Sequence, residues 1–168
     1  MDGEREIQKA YESILGHDFD KAIEWFQKAI AAEPDNAAYH YKLSITYARS
    51  NKLQKAVEHA NRAIELVGDT RVDYRYHLQT LHARELIVAA EKCFAEPHLR
   101  MGEAVVLLKE AIVLDPLAVE AYLILGAAYA NLGDYRSAWR AAQDGVRMDP
   151  QNDLAKQQLL LYEQKLKS

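Results

Sequence analysis

The sequence predicts an all-α protein built as an α-solenoid, a stack of antiparallel helix pairs. Three observations predict it. The 168 residues are 49% hydrophobic and 27% charged with only 7 Gly and 4 Pro, a helix-rich composition. Alanines recur in a fixed frame at Ala22, Ala56, Ala104 and Ala138. Each is followed seven residues later by a second small residue (Ala29, Ala63, Ala111, Gly145) and five after that by a helix-ending Pro34, Gly68, Pro116 or Pro150. The steps between the first alanines are 34, 48 and 34 residues, so the middle step is too long by 14. A period of this size marks a repeated supersecondary unit.

The elements follow in order. The first unit, residues 3–36, carries Ala10 on its first helix and Ala22, Phe26 and Ala29 on its second, joined by the turn GHDFD. The second, 37–70, carries Leu43, Ser44 and Tyr47, then the turn SNKLQ, then Ala56, Ala60 and Ala63. The third, 71–118, contains the 14-residue insertion, and the fourth, 119–152, carries Tyr122, Leu125, Gly126 and Tyr129 before the turn LGDYR. Small residues let paired helices approach, and large ones at three- and four-residue spacings share a face. The turns are polar with Gly or Asn, and EPDN, DP and DPQN end the second helices because the residue before Pro is pushed out of the helical region. Residues 153–168 form an amphipathic capping helix, with Leu154, Gln157 and Leu161 on one stripe. The units together predict one domain over residues 1–168.

Asp69–Glu96 contains neither Gly nor Pro. Fourteen residues amount to nearly four helical turns, about 21 Å, which lengthens a helix with little rotation of its faces. The first helix of the third unit is therefore expected from about Val72 to Phe94, with EPHLR returning the chain to a second helix over Met101–Leu114. Tyr74, Leu78 and Leu81 lie on one apolar stripe, and Leu86, Ala90, Cys93 and Phe94 on another. The spacing is compatible with burial of both stripes, with an exposed strip that recruits a second chain, or with a break near His82.

The run Tyr122-x2-Leu125-Gly126-x2-Tyr129, followed by Ala138 and Pro150, resembles the tetratricopeptide repeat family, whose pattern is Trp-x2-Leu-Gly-x2-Tyr, then Ala-x3-Phe, then Pro. The second unit matches at Leu43, Tyr47, Ala56 and Ala63, with His40 in the Trp place and Ser44 in the Gly place. The first keeps Ala10, Ala22, Phe26, Ala29 and Pro34, with Ser13 where Tyr is usual. The resemblance covers nearly the whole chain. It implies a non-catalytic protein–protein interaction scaffold that takes a peptide or amphipathic helix of a partner in a concave groove lined by the first helices. Carried over residue by residue, the groove positions include Ile7, Tyr11, Tyr41, Ile45, Arg75, Gln79, Leu123 and Ala127. One subclass holds acidic chaperone tails in a clamp of Lys, Asn, Asn, Lys and Arg; here the matching places are Ile7, Tyr11, Lys42, Val72 and Tyr76, so that ligand is not expected. An apolar groove with tyrosines suits a hydrophobic peptide or helix instead. The chain's own C-terminal or long helix could also fill part of it. The alternative function is a self-assembling structural module that homodimerises through the long third-repeat helix.

No chemistry is expected. No His pair has i,i+4 spacing, and His77 and His82 diverge by about 140° around a helix, so no metal site is predicted. His40 takes a packed position in the repeat. Cys93, the single cysteine, sits among Ala89, Ala90 and Phe94 and reads as an inert buried thiol. There is no Gly-rich phosphate loop, and no cofactor is expected. A net charge of −4 gives no footprint for nucleic acid. No apolar run approaches the roughly 20 residues of a membrane span. The opening MDGEREIQKAYES lacks a basic region followed by an apolar run, which points to the cytoplasm. Charge is uneven: residues 1–36 hold 4 basic and 9 acidic side chains, and 37–70 hold 5 and 3.

Overall fold

A computed structural model describes residues 3–168. Among the described residues there is no strand. The helices are α1 (Glu4–Leu15), α2 (Phe19–Ala32), α3 (Ala37–Arg49), α4 (Leu53–Val67), α5 (Val72–Cys93), α6 (Pro97–Leu114), α7 (Val119–Asn131), α8 (Tyr135–Met148) and α9 (Asp153–Lys167), with one 3-10 turn at Gly68–Thr70.

Local chemistry sets the helix ends. His17, Asn51 and Gly133 occupy the same place in three repeats and all turn left-handed, at φ 58°, 58° and 77°. Each lets the next N–H close back over the preceding helix, Asp18 to Ser13 O, Lys52 to Tyr47 O and Asp134 to Tyr129 O, at 2.8, 2.9 and 3.0 Å. This satisfies carbonyls that a helix C-terminus leaves unpaired. Asp18 and Asp134 then cap the following helices, their carboxylates accepting from Lys21 N–H and Ser137 N–H at 3.0 Å. Such a cap contributes about 1 kcal/mol. Asn152 does the same for α9 through Ala155 N–H at 3.0 Å.

The chain divides into two compact units, one ending at Leu81 and the other beginning at His82. In the first, Ala10, Phe26, Leu43, Ala56, Ala60 and Leu81 form the buried centre. In the second, Cys93, Met101, Ala104, Leu108, Ala111 and Leu125 do so. The smaller cluster of Ala138, Ala142 and Tyr162 joins α8 to α9. Each large apolar side chain so buried contributes about 1.5–3 kcal/mol.

The division falls within α5. Its first stripe, Tyr74 and Leu81, is buried in the first unit, and Ala83, Ile87, Ala90 and Cys93 are buried in the second. Both apolar stripes of the long helix therefore serve cores. The helix runs unbroken past His82, whose Nδ1 lies 2.9 Å from Glu85 one turn on. The long first helix ends at Cys93, close to the expected Phe94, while the second begins at Pro97 and not at the expected Met101, so part of the insertion lengthens it as well. α5 has 22 residues where α3 and α7 have 13, and α6 has 18 where α4 and α8 have 15 and 14. EPHLR is largely not a return loop. Pro97 opens α6, since a proline in the first turn forfeits only an N–H that has no helical partner.

Candidate peptide-binding surfaces

The groove residues expected from the sequence fall in both units and are described unit by unit. In the first, Ile7 of α1 is buried and belongs to the core. Tyr11, one turn on, is partly exposed; its ring stands edge-on to Phe26 at 6.1 Å, with Lys42 Nζ 5.0 Å above it. Tyr41 and Ile45 of α3 are half-buried, and Arg75 and Gln79 of α5 are exposed. Tyr41 is stacked on Tyr74 at 4.2 Å, with an interplanar angle of 17°, and His77 meets its edge at 5.3 Å. Arg71, paired through two hydrogen bonds with Asp73 at 2.9 and 2.7 Å, lies 4.3 Å over Tyr74. Burial, reinforced by the Asp73 charge, pushes the Tyr41 hydroxyl above its ordinary pKa, so it stays a neutral donor.

A polar network locks this aromatic group. His40 sits 2.9 Å from Pro34 O through Nε2 and 3.0 Å from His59 Nδ1 through its own Nδ1. A carbonyl only accepts, so His40 carries its proton on Nε2 and accepts at Nδ1 from His59 N–H. Ser44 Oγ donates to Ala56 O at 2.6 Å, which leaves a lone pair to accept from His77 Nε2–H at 2.8 Å. Burial lowers the pKa of both His59 and His77, with the His40 ring adding to the effect on His59. The expectation that His40 is packed is met, because it is buried.

In the second unit Leu123 and Ala127 come together. They line an apolar cleft of about 420 Å³ with Ile124 of the same helix, Phe94 beyond the end of α5, and Leu154 of α9; Glu91 and Gln158 are its polar members. The α9 wall depends on Gly126. A Cβ there would stand 3.2 Å from Tyr162, 3.3 Å from Gln158 Oε1 and 3.4 Å from Ala138 O, so the glycine allows α9 to lie against α7. Among the described residues, Gln158 Oε1 is buried without a hydrogen-bond partner.

Phe94, Leu154 and Gln158 were not among the expected groove residues. The family positions cover only first helices, whereas this wall comes from the capping helix and the end of the long one. Leu154, Gln158 and Leu161 at four- and three-residue spacing were the available signal. Among the described residues no three His, Cys, Asp or Glu side chains gather as a metal site. Cys93 is buried, its Sγ 3.5 Å from Ala89 O. No helix among them is long and apolar enough to cross a membrane.

Antiparallel pairs with alanine-lined seams, repeated in a fixed frame, define a helical repeat protein of the solenoid class. The tetratricopeptide repeat model matches residues 16–69 and 100–153, and the chain belongs to that family. It is 25% identical over 154 residues to Stress-induced-phosphoprotein 1 of Caenorhabditis elegans, covering 80% of this chain and 48% of that one. It is 39% identical over 61 residues to the Peroxisomal targeting signal receptor of Eremothecium gossypii, covering 36% and 10%. The chain spans less than half the length of these curated relatives. Among solved structures, a MamA protein shares the fold with TM-score 0.53 at 22% identity, covering 96% of this chain and 81% of that one. MamA from Desulfovibrio magneticus RS-1 does so with TM-score 0.56 at 16% identity, covering 98% and 85%. Fold and family together make the chain a protein-interaction scaffold of a family whose members are typically non-catalytic.

Proposed function

We propose that the chain is a non-catalytic, cytoplasmic scaffold that binds an amphipathic helix or hydrophobic peptide of a protein partner through its first-helix surfaces, with no role for nucleic acid, membrane or cofactor. We take residues 1–168 to act as one functional domain of four repeats and a terminal helix. The observation that carries this reading is the convergence of Leu123 and Ala127 on an apolar cleft with Phe94, Ile124 and Leu154. About 420 Å³ accommodates one or two large apolar side chains, and Glu91 and Gln158 offer polar groups to fix their orientation. In the first unit Tyr41, held by Tyr74 and His77, is a rigid aromatic contact of the kind that costs little entropy to present, with Tyr11, Ile45, Arg75 and Gln79 as further contacts. A relative named as a receptor for a targeting signal is consistent with peptide recognition.

The test is selection of helical and extended peptides from a displayed library against the whole chain, followed by binding measurements on variants. Ala127→Trp, which fills the cleft, is expected to weaken the selected peptides at least about tenfold, the effect of losing one buried anchor. Binding that is unchanged in Ala127→Trp and in a Tyr41→Ala, Leu123→Ala double variant would reject the groove reading.

A further inference from the structure

The outer face of α6 differs from that of every other second helix in the chain. Its inner side is buried through Met101, Ala104, Leu108 and Ala111. On the opposite side Leu99, Val106 and Val113 are 83%, 64% and 79% exposed. These three residues are seven apart, so they lie within about 20° of one line along the helix. The repeat frame supplies an internal control. At the place of Val106 the other repeats carry Glu24, Glu58 and Arg140, all exposed. At the place of Val113 they carry Ala31, Glu65 and Arg147, and at that of Leu99, His17, Asn51 and Gly133. A helix that is apolar on both sides has a second buried face somewhere.

Gly102 is a second, independent departure. It stands within α6 beside the exposed row, where Asp20, Gln54 and Arg136 stand in the other repeats. A Cβ on it would meet nothing within 4 Å, so no packing inside the molecule requires a glycine there. A glycine within a helix costs about 1 kcal/mol relative to alanine. It permits close approach from outside.

The flanking charges identify what approaches. Lys109 lies about 60° to one side of the row; Glu103 and Glu110 lie about 60° and 40° to the other. Arg100 pairs with Glu103 through two hydrogen bonds at 2.9 Å, which leaves Glu110 as the acidic flank's uncompensated charge, while Lys109 Nζ lies 5.7 Å over Tyr129 on the basic side. One basic and one acidic flank on a single helix make the face complementary to itself. When two such helices pair in parallel about a two-fold axis, the basic flank of each meets the acidic flank of the other, and Lys109 comes level with Glu110 of the second copy. Antiparallel pairing would instead set acidic flank against acidic flank, bringing the two Glu110 side chains to the same side.

We propose that α6 is an interface with a second copy of this chain, paired in parallel about a two-fold axis through the Leu99–Val106–Val113 row. This is distinct from the peptide surfaces above and does not depend on them. It also differs from self-pairing through α5, whose apolar stripes are spent on the cores. A face one helix long lies at the small end of specific interfaces, so the pair is expected to form at micromolar concentrations.

The full chain is tested by light scattering and sedimentation over roughly 1–500 μM, the range in which so small an interface titrates. The expected result is a monomer–dimer equilibrium that Val106→Glu abolishes while the helical circular dichroism is unchanged. Lys109→Glu and Glu110→Lys should each weaken pairing about tenfold, and the Lys109→Glu, Glu110→Lys double variant should restore it, because the two charges exchange roles across the axis. In a Cys93→Ala background under mild oxidation, Leu99→Cys and Val113→Cys should each cross-link to their own copies. A strict monomer throughout, a dimer indifferent to Val106→Glu, or cross-linking only between Leu99→Cys and Val113→Cys would overturn the proposal. The last would show antiparallel pairing, and a monomer would leave the row to another protein.

Discussion

At the scale of single residues, the first unit is set by its hydrogen-bonded histidines. The His40–His59 bond needs one bare Nδ1, with His59 N–H donating to His40 Nδ1 across 3.0 Å. His59 and His77 have pKa values lowered in the fold, so in the window below the ordinary histidine value the unfolded chain binds more protons than the folded one. Stability is then complete above about pH 6.5 and falls as acidification passes downward through the lowered values. The carboxylates of Glu33 and Asp134 also titrate below their ordinary values and therefore weaken the fold only at more acid pH. The expected outcome is a thermal midpoint that drops between pH 7.5 and 5.5, and drops less in a His59→Gln, His77→Gln variant; an equal drop in both would place the effect elsewhere. Ser44 offers a second check. Ser44→Ala removes a bond to Ala56 O and strands His77 Nε2–H, at a cost of about 1–3 kcal/mol in urea unfolding. Adding His77→Leu should recover part of that loss, because the stranded donor is gone.

At the scale of elements, the repeat frame was legible because helix pairs need small residues where they cross, and Ala22, Ala56, Ala104 and Ala138 are all fully buried at those crossings. The turns were legible only as polar punctuation. Their shared left-handed residue could be anticipated at Gly133 and Asn51 but not at His17, where an ordinary side chain accepts the strain because Asp18 N–H and the Asp18 cap hold the turn closed. His17→Gly is accordingly expected to stabilise the fold by about 1 kcal/mol, and Gly133→Ala, where a Cβ has open space, to cost about the same for conformational reasons alone. Thermal melts of the two variants, shifting in opposite directions, are the measurement; shifts of the same sign would show that the turn geometry is not what decides. The division of the insertion between α5 and α6 was not legible, since Pro97 reads equally as a helix breaker or a helix opener until its neighbours are known. Half of the cleft was likewise hidden: Leu123 and Ala127 carry family positions, while Phe94 and Leu154 reach the same space from helices whose placement no local pattern specifies.

At the scale of the whole molecule, the buried clusters separate along the chain. Leu43 is fully buried in the cluster that gathers Phe26, Tyr47, Ala56 and Leu81, and Leu108 in the cluster that gathers Ala83, Cys93, Met101 and Leu125. Repeat stacks gain their stability from neighbours, so a cavity should be felt nearby and fade along the chain. Leu43→Ala and Leu108→Ala each leave a void expected to cost about 2–5 kcal/mol. Amide hydrogen exchange distinguishes local from global loss. With Leu43→Ala, protection in α1 to α4 should fall at least about tenfold, while α7 and α8 change little; with Leu108→Ala the pattern should reverse. α5 carries the sharper reading, because Leu81 belongs to the Leu43 cluster, Tyr74 to a small one with Ala37 and Ala63 in the same unit, and Ala83, Ile87 and Ala90 to the Leu108 cluster. Its amides before Leu81 should follow the first variant, and those after His82 the second, within one continuous helix. If both variants instead accelerate exchange by the same factor from α1 to α9, the two clusters unfold as one cooperative body, and the long helix transmits the loss of either core to the other.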